Sequence, residues 1–114
     1  MAQIAALTAE MADAADAMED RAGEAARFLK SLAHEGRLIL LCHLADGEKT
    51  VGWLAAHLGQ RQPVVSQQLA RLREEGLVTG RRDGKAIYYA IADARVAQMI
   101  GALYGIFCEG QRAG

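Results

Sequence analysis

Apolar residues recur at intervals of three and four through the first third of the chain, which places them on one face of a long α-helix. The pattern predicts a first helix at about Thr8–Leu32 and a second at about Glu35–Leu44, which the Ala-Asp-Gly sequence at 45–47 ends. We expect the buried side of the second helix to carry Leu38, Leu41, Cys42 and Ala45.

Two shorter helices follow, with the dimensions of a helix-turn-helix. Thr50 can cap the first of them, which ends at Gly59. Pro63 suits the first turn of the second, where its missing N–H costs nothing, and Gly76 ends that helix. The predicted buried stripes are Val51, Leu54, Ala55 and Leu58 in the first and Val65, Leu69 and Leu72 in the second.

The apolar pattern then changes to a period of two. Leu77–Arg81 and Ala86–Ile91 flank a loop at 82–85 that contains Asp-Gly, a strong hairpin signal. Asp93 can cap a last helix that reaches about Phe107 and is apolar on more than one side. The order α-α-α-α-β-β-α predicts a mainly helical, α+β winged helix-turn-helix, with residues 1–114 in a single domain.

The composition agrees with one globular domain, since 52% of the 114 residues are hydrophobic and 13 basic side chains balance 14 acidic ones. No apolar run approaches the roughly 18 residues of a transmembrane helix, and no basic segment opens the chain as in a secretory signal. Two cysteines are too few for a disulfide-stapled secreted scaffold. We therefore expect a cytoplasmic protein.

A helix-turn-helix followed by a basic hairpin favours DNA binding, although charge alone would favour an ordinary solvated surface. When the apolar stripe of the second short helix is buried, Gln67, Ala70 and Arg71 face outward and Ser66 lies on the flank. Gln can pair with adenine, and Arg71 can reach a phosphate. Three hairpin cations suit a wing against the DNA backbone or minor groove: Arg81, Arg82 and Lys85.

Four segments together resemble the ArsR/SmtB family of bacterial repressors: Phe28–His34, Arg37–Leu38, Pro63–Leu69 and Glu75–Val78. The resemblance covers about residues 20–108. It implies a homodimer joined through the first and last helices, with residues 1–20 as a partly disordered start of the dimerisation helix. It also implies a palindromic operator and an inducer that releases the DNA. The family match gives base reading to Ser66, Gln67 and Gln68.

The resemblance also bears on the inducer. Metal-sensing relatives carry Cys-x-Cys near the third helix, where this chain has Val51–Trp53, or Asp and His on the last helix, where only Asp93 remains. Cys42 and Cys108 instead resemble the persulfide-sensing branch, the BigR/SqrR-type repressors, which place one cysteine on each of these two helices. That branch implies release of the DNA through a polysulfide bridge between the cysteines, with no cofactor and no metal.

Other interpretations stay open. The cysteines could form a peroxide-driven disulfide, hold a metal together with His43, or be passive. A thiol oxidoreductase usually has a Cys-x-x-Cys pair in a βαβ setting, which this chain lacks, so we expect no enzyme. A helical interaction module would dock its acidic first helix on a basic partner without binding DNA. The sequence does not say which cysteine reacts first or whether the bridge joins two subunits.

Overall fold

The computed structural model describes residues 13–109 of the chain. The chain divides into two compact units, the first ending at Leu32 and the second beginning at Ala33. In the first unit, residues 13–19 are helical and helix α1 spans Ala22–Leu32. Residues 1–12, including the predicted start of the first helix, lie outside the described residues.

A turn at Asp20 and Arg21 separates the two helical segments of the first unit. The N–H of Arg21 donates to the carbonyl of Met18 at 3.0 Å, three residues back, and the helix then restarts. The prediction of one uninterrupted helix through this region is therefore wrong. Asp20 and Gly23 explain the break, because both residue types have low helix propensity.

The described residues of the second unit form helices, a small sheet and a π-helical turn. In chain order these are α2 (Glu35–Leu44), β1 (Lys49–Thr50), α3 (Val51–Leu58), α4 (Gln62–Glu74), β2 (Val78–Asp83), β3 (Ala86–Ile91), α5 (Ala94–Tyr104) and the turn at Gly105–Glu109.

Helices α3 and α4 form the predicted helix-turn-helix. The hydroxyl of Thr50 accepts a hydrogen bond from the N–H of Trp53 at 3.0 Å, and Gly59 ends α3 in a left-handed conformation with φ of 65°. Pro63 lies in the first turn of α4, as predicted. The last helix, α5, begins with the predicted cap, since Asp93 accepts from the N–H of Arg95 at 2.9 Å.

The wing is an antiparallel sheet with strands in the order β1-β3-β2. Asp83 pairs with Ala86, so the hairpin loop contains Gly84 and Lys85 alone and is shorter than predicted. Gly84 has a φ of 66°, which the first residue of such a tight loop requires. Strand β1 was not predicted, because two residues are too few to display a period.

The core of the second unit consists of aliphatic side chains from α2 to α5. The fully buried ones are Leu40, Leu41, Leu54, Val65, Leu69, Leu72 and Val96. Both predicted stripes of the helix-turn-helix contribute to it. The helices and the small sheet together make a winged helix-turn-helix. Within residues 13–109, no helix has the length and apolar character needed to cross a membrane.

Helix α2 faces the core with a side that overlaps the predicted one only in part, since Leu41 is buried as predicted and Leu38 is half-buried. Leu40 and Leu44 are buried, whereas Cys42 and Ala45 are exposed, so the predicted burial of Cys42 is wrong. Four consecutive apolar residues, Leu38–Leu41, let several helical stripes fit the sequence equally well. The side that carries Cys42 is therefore free to line a surface groove.

Candidate functional site

The outer face of α4 carries residues predicted to read DNA. Gln67 and Arg71 are exposed on the side opposite to the buried apolar stripe, and Ser66 is exposed on its flank. Ala70 lies exposed on the same face, and its small side chain leaves room for a neighbouring molecule. This face can therefore approach the major groove of DNA without disturbing the core.

Gln68 lies at the edge of that face and is half-buried. Its Oε1 atom is buried and accepts no hydrogen bond from any described residue. A Cβ atom added to Gly36 would lie 2.8 Å from Nε2 of Gln68, so the amide packs directly on the backbone of α2. A groove of about 500 Å³ lies beside this contact, between α2 and α4, and His34 and Arg37 are among its walls.

In the wing, Arg81 is held by acidic neighbours. Its guanidinium pairs with both carboxylate oxygens of Glu48, with Nε 3.0 Å from Oε2, and lies 3.7 Å from Asp83. It also covers the ring of Tyr88 at 4.7 Å from the centroid. The hydrogen bond from Arg81 holds the pKa of Glu48 below its ordinary value, so the carboxylate stays ionised. Glu48 is far from Arg81 in sequence, and no local pattern indicates the pair.

Arg82 and Lys85, the other two wing cations, are exposed. Neither forms an ion pair with an acidic side chain in the part of the chain that the structure describes. Both therefore remain available to a phosphate backbone.

Cys42 and Cys108 line one groove on the second unit. Cys42 belongs to α2 and Cys108 to the π-helical turn after α5, and both are free, exposed thiols. The groove has a volume of about 600 Å³. Its other walls are uncharged and mostly apolar, and they include Leu38, Ile100, Leu103, Tyr104 and Phe107.

The two thiols also interact electrostatically. The apolar walls desolvate Cys42 on one side and raise its pKa, and the nearby charge of Cys108 raises that pKa further. Cys42 is therefore a protonated thiol at neutral pH. The structure brings together two cysteines that lie far apart in sequence, in a setting where they can react with each other or with a common reagent.

An aromatic cluster that the sequence did not indicate surrounds His43. Trp53 stacks on His57 with ring centroids 4.6 Å apart, and the ring of His43 packs edge-on at 6.0 Å from Trp53 and 4.7 Å from His57. Among residues 13–109, no group of three or more His, Cys, Asp or Glu side chains could hold a metal ion. The structure therefore gives no support to a site made of Cys42, Cys108 and His43.

Known proteins resemble this chain in both sequence and fold. The model of the family described as bacterial regulatory protein, arsR family, matches residues 34–79. The biofilm growth-associated repressor of Agrobacterium fabrum is 55% identical over 92 residues, which cover 81% of this chain and 79% of that protein. The chain belongs to the arsR family. It is a transcriptional regulator, and its relatives are regulators rather than enzymes.

Solved arsR-family structures agree with this assignment. The transcriptional repressor BigR from Xylella fastidiosa has a TM-score of 0.78 and 49% identity, over 82% of this chain and 95% of BigR. Reduced HlyU from Vibrio cholerae N16961 has a TM-score of 0.75 and 38% identity, over 80% of this chain and 96% of HlyU. The predicted winged helix and the resemblance to the BigR-type branch are confirmed.

The matched arsR-family segment and the two cysteines overlap only in part. Residues 34–79 include α2 with Cys42, the whole helix-turn-helix and the start of the wing. Cys108 lies beyond that segment. The family match therefore covers the whole helix-turn-helix and Cys42 but not Cys108.

Proposed function

We propose that this arsR-family regulator is a dithiol-based cytoplasmic repressor. It binds operator DNA while Cys42 and Cys108 are reduced, and a persulfide or polysulfide releases it by joining them. The observation that carries the proposal is the shared groove, in which the two thiols face a common space with apolar walls. Such a groove has room for a small sulfur compound that can reach both thiols.

In the proposed complex, α4 enters the major groove of the operator. Ser66 and Gln67 face the base edges. The exposed cations hold the phosphate backbone and make binding sensitive to salt; they are Arg71, Arg82 and Lys85. Arg81 can contact a phosphate only if its ion pair with Glu48 breaks.

A homodimer would present two copies of α4 to a palindromic operator. Successive major grooves on one side of DNA lie about 34–36 Å apart, so two recognition helices must be held at that spacing. Large apolar side chains are exposed at the end of the second unit, with Ile106 at 69% and Phe107 at 63%. Exposed apolar surface of this kind suits a subunit interface.

The proposed reaction proceeds by thiol exchange. A cysteine thiolate attacks the outer sulfur of an organic persulfide, forms a protein persulfide and expels a thiol. When both cysteines have reacted, the outer sulfur of one attacks the inner sulfur of the other and expels hydrogen sulfide. The product is a bridge of three sulfurs, and a third persulfide lengthens it to four. The persulfide sulfur is the oxidant throughout, and it is reduced to thiol and sulfide.

The length of the bridge can discriminate persulfide from peroxide. A disulfide needs Cα atoms about 4.4–6.8 Å apart, whereas a bridge with one or two extra sulfurs spans a wider separation. If α2 and the π-helical turn hold Cys42 and Cys108 beyond the disulfide range, only a sulfur donor closes the bridge without strain. A peroxide-driven disulfide is the alternative outcome.

Intact mass under denaturing, non-reducing conditions tests the proposal. Reduced protein is treated with an organic persulfide or with hydrogen peroxide, and operator affinity is measured on the same samples. We expect persulfide alone to add one or two sulfurs, to remove two hydrogens and to weaken operator binding. Loss of two hydrogens with peroxide would instead identify a general disulfide switch.

Matched variants complete the experiment. Cys42→Ser and Cys108→Ser should bind the operator when reduced and stay bound after persulfide treatment, because neither can form the bridge. Zinc or copper added to the reduced wild-type protein should leave operator affinity unchanged. Release by metal, or release of either Ser variant by persulfide, would contradict the proposal.

A further inference from the structure

Helix α2 carries Cys42 near one end and contacts α4 near the other. Cys42 lies six positions after Gly36, and a helix rises about 1.5 Å per residue, so about 9 Å of one continuous helix separates them. A displacement of α2 caused by bridging at Cys42 therefore also displaces Gly36.

Gly36 leaves room on α2 for the amide of Gln68, which occupies the space that a side chain at this position would fill. A Cβ at Gly36 would lie 2.8 Å from Nε2 of Gln68 and 3.3 Å from Cε1 of His34, so the space above this glycine is occupied on both sides. Because the amide of Gln68 lies against the backbone of α2, a shift of that backbone toward α4 would displace the amide. Gln68 lies next to the exposed Gln67 on α4, where that movement would alter the approach to a base.

The amide of Gln68 is directed toward α2. Its Oε1 atom is buried without a partner among the described residues, although a base-reading glutamine needs both amide atoms free to meet a base edge. A second connection joins the same two regions, because Arg37 of α2 lies 3.8 Å from Glu75, which caps the end of α4. The start of α2 therefore touches the recognition helix at its middle and at its end.

We infer that Gln68 is a positioning residue, which transmits the state of the two cysteines to α4 through its contact with Gly36. This inference rests on the proposed function, since it assumes that joining Cys42 and Cys108 releases the operator. It assigns Gln68 to the response of the repressor and leaves base reading to Ser66 and Gln67.

The test compares operator Kd in the bridged and the reduced protein for each variant. Couplings between sites commonly change affinity by about 5–150-fold. In Gln68→Ala, we expect the reduced Kd to stay within about threefold of wild type and the bridged-to-reduced ratio to fall to within about twofold of one. Gln68→Met keeps the length of the side chain and should preserve both the reduced Kd and the ratio. Gln98→Ala, an exposed glutamine on α5, is the matched control.

A steric change on the other side of the contact provides an independent readout. Gly36→Ala should push the amide of Gln68 and weaken reduced-state binding, and the double variant Gly36→Ala/Gln68→Ala should regain the reduced Kd of Gln68→Ala. Circular dichroism on each variant checks that α2 and α4 are folded. A double variant as weak as Gly36→Ala would contradict the inference.

Two further controls separate this inference from the proposed function. Intact mass on every sample reports whether the bridge has formed, and a short bismaleimide joins Cys42 to Cys108 without any persulfide chemistry. Failure of persulfide to bridge the wild type refutes the proposed function, while the crosslinked proteins still test Gln68. The inference would be overturned if Gln68→Ala, bridged or crosslinked, showed the same ratio of bridged to reduced operator Kd as the wild type. Loss of reduced-state binding in both Gln68→Ala and Gln68→Met would overturn it too, in favour of base reading.

Discussion

At the scale of single residues, the protonation of Cys42 governs its reactivity. Burial against the groove walls raises the pKa of this thiol, and the charge of Cys108 raises it by a smaller amount. Only the thiolate reacts with an electrophile, so a raised pKa means slower reaction at neutral pH and a rate that keeps rising into alkaline pH. We expect iodoacetamide to alkylate Cys42 with a half-maximal rate at a pH above the ordinary cysteine pKa.

The Cys108→Ser variant separates the two causes of the raised Cys42 pKa, which are burial and the charge of Cys108. Removing the neighbouring charge should lower the midpoint of Cys42 alkylation, and the midpoint should still exceed that of a free cysteine because burial remains. Peptide mass spectrometry after timed alkylation measures the rate at each site. A midpoint equal to that of free cysteine in this variant would show that the groove does not desolvate Cys42.

The pairing of Arg81 with Glu48 predicts a change in DNA binding. In Glu48→Gln, Arg81 loses its main acidic partner and a negative charge leaves the wing, so operator affinity should rise. If Arg81 then contacts a phosphate, the slope of log affinity against log salt should become more negative by about 0.9. Glu19→Gln removes the same charge from an exposed site in the first unit and should leave the slope unchanged. An unchanged slope in Glu48→Gln would mean that Arg81 contacts no phosphate.

At the scale of elements, helix ends were predictable because their signals are local. Thr50, Pro63, Gly59 and Asp93 each act within one turn of their own position, and the structure places all four as expected. Which side of α2 faces the core was not predictable, because the apolar run at Leu38–Leu41 fits more than one helical stripe. Strand β1 exists only through its pairing with β3, which a two-residue segment cannot indicate.

The candidate functional residues also divide into those that a local pattern predicts and those that depend on contacts between elements. The outward position of Gln67 and Arg71 followed from the apolar period of α4 alone. The contact of Gly36 with Gln68 and the pairing of Glu48 with Arg81 depend on packing between elements, so no local pattern predicts them. The sequence therefore indicated which residues of α4 are exposed on its outer face, and the structure adds the contacts that connect this helix to the rest of the second unit.

At the scale of the whole molecule, large apolar side chains are exposed near the end of α5. Tyr104, Ile106 and Phe107 are large side chains with between 46% and 69% of their surface exposed. Large exposed apolar patches are uncommon in monomeric proteins and mark interaction sites. In the proposed homodimer, a second copy of this chain would cover this surface and supply the second recognition helix for a palindromic operator.

The proposed homodimer leads to a prediction that links the interface to DNA binding. Ile106→Glu places a charge in the proposed apolar interface, so sedimentation velocity should show a shift from dimer to monomer. Two joined recognition helices bind their half-sites as one unit, which can strengthen binding about 10²–10⁴-fold over a single module. The monomeric variant should therefore lose operator affinity by a factor in that range. Gln98→Glu adds the same charge at an exposed position of α5 and should remain dimeric with unchanged affinity. If Ile106→Glu stays dimeric and binds the operator normally, the subunits associate through another surface, and the exposed end of the second unit must serve a different partner.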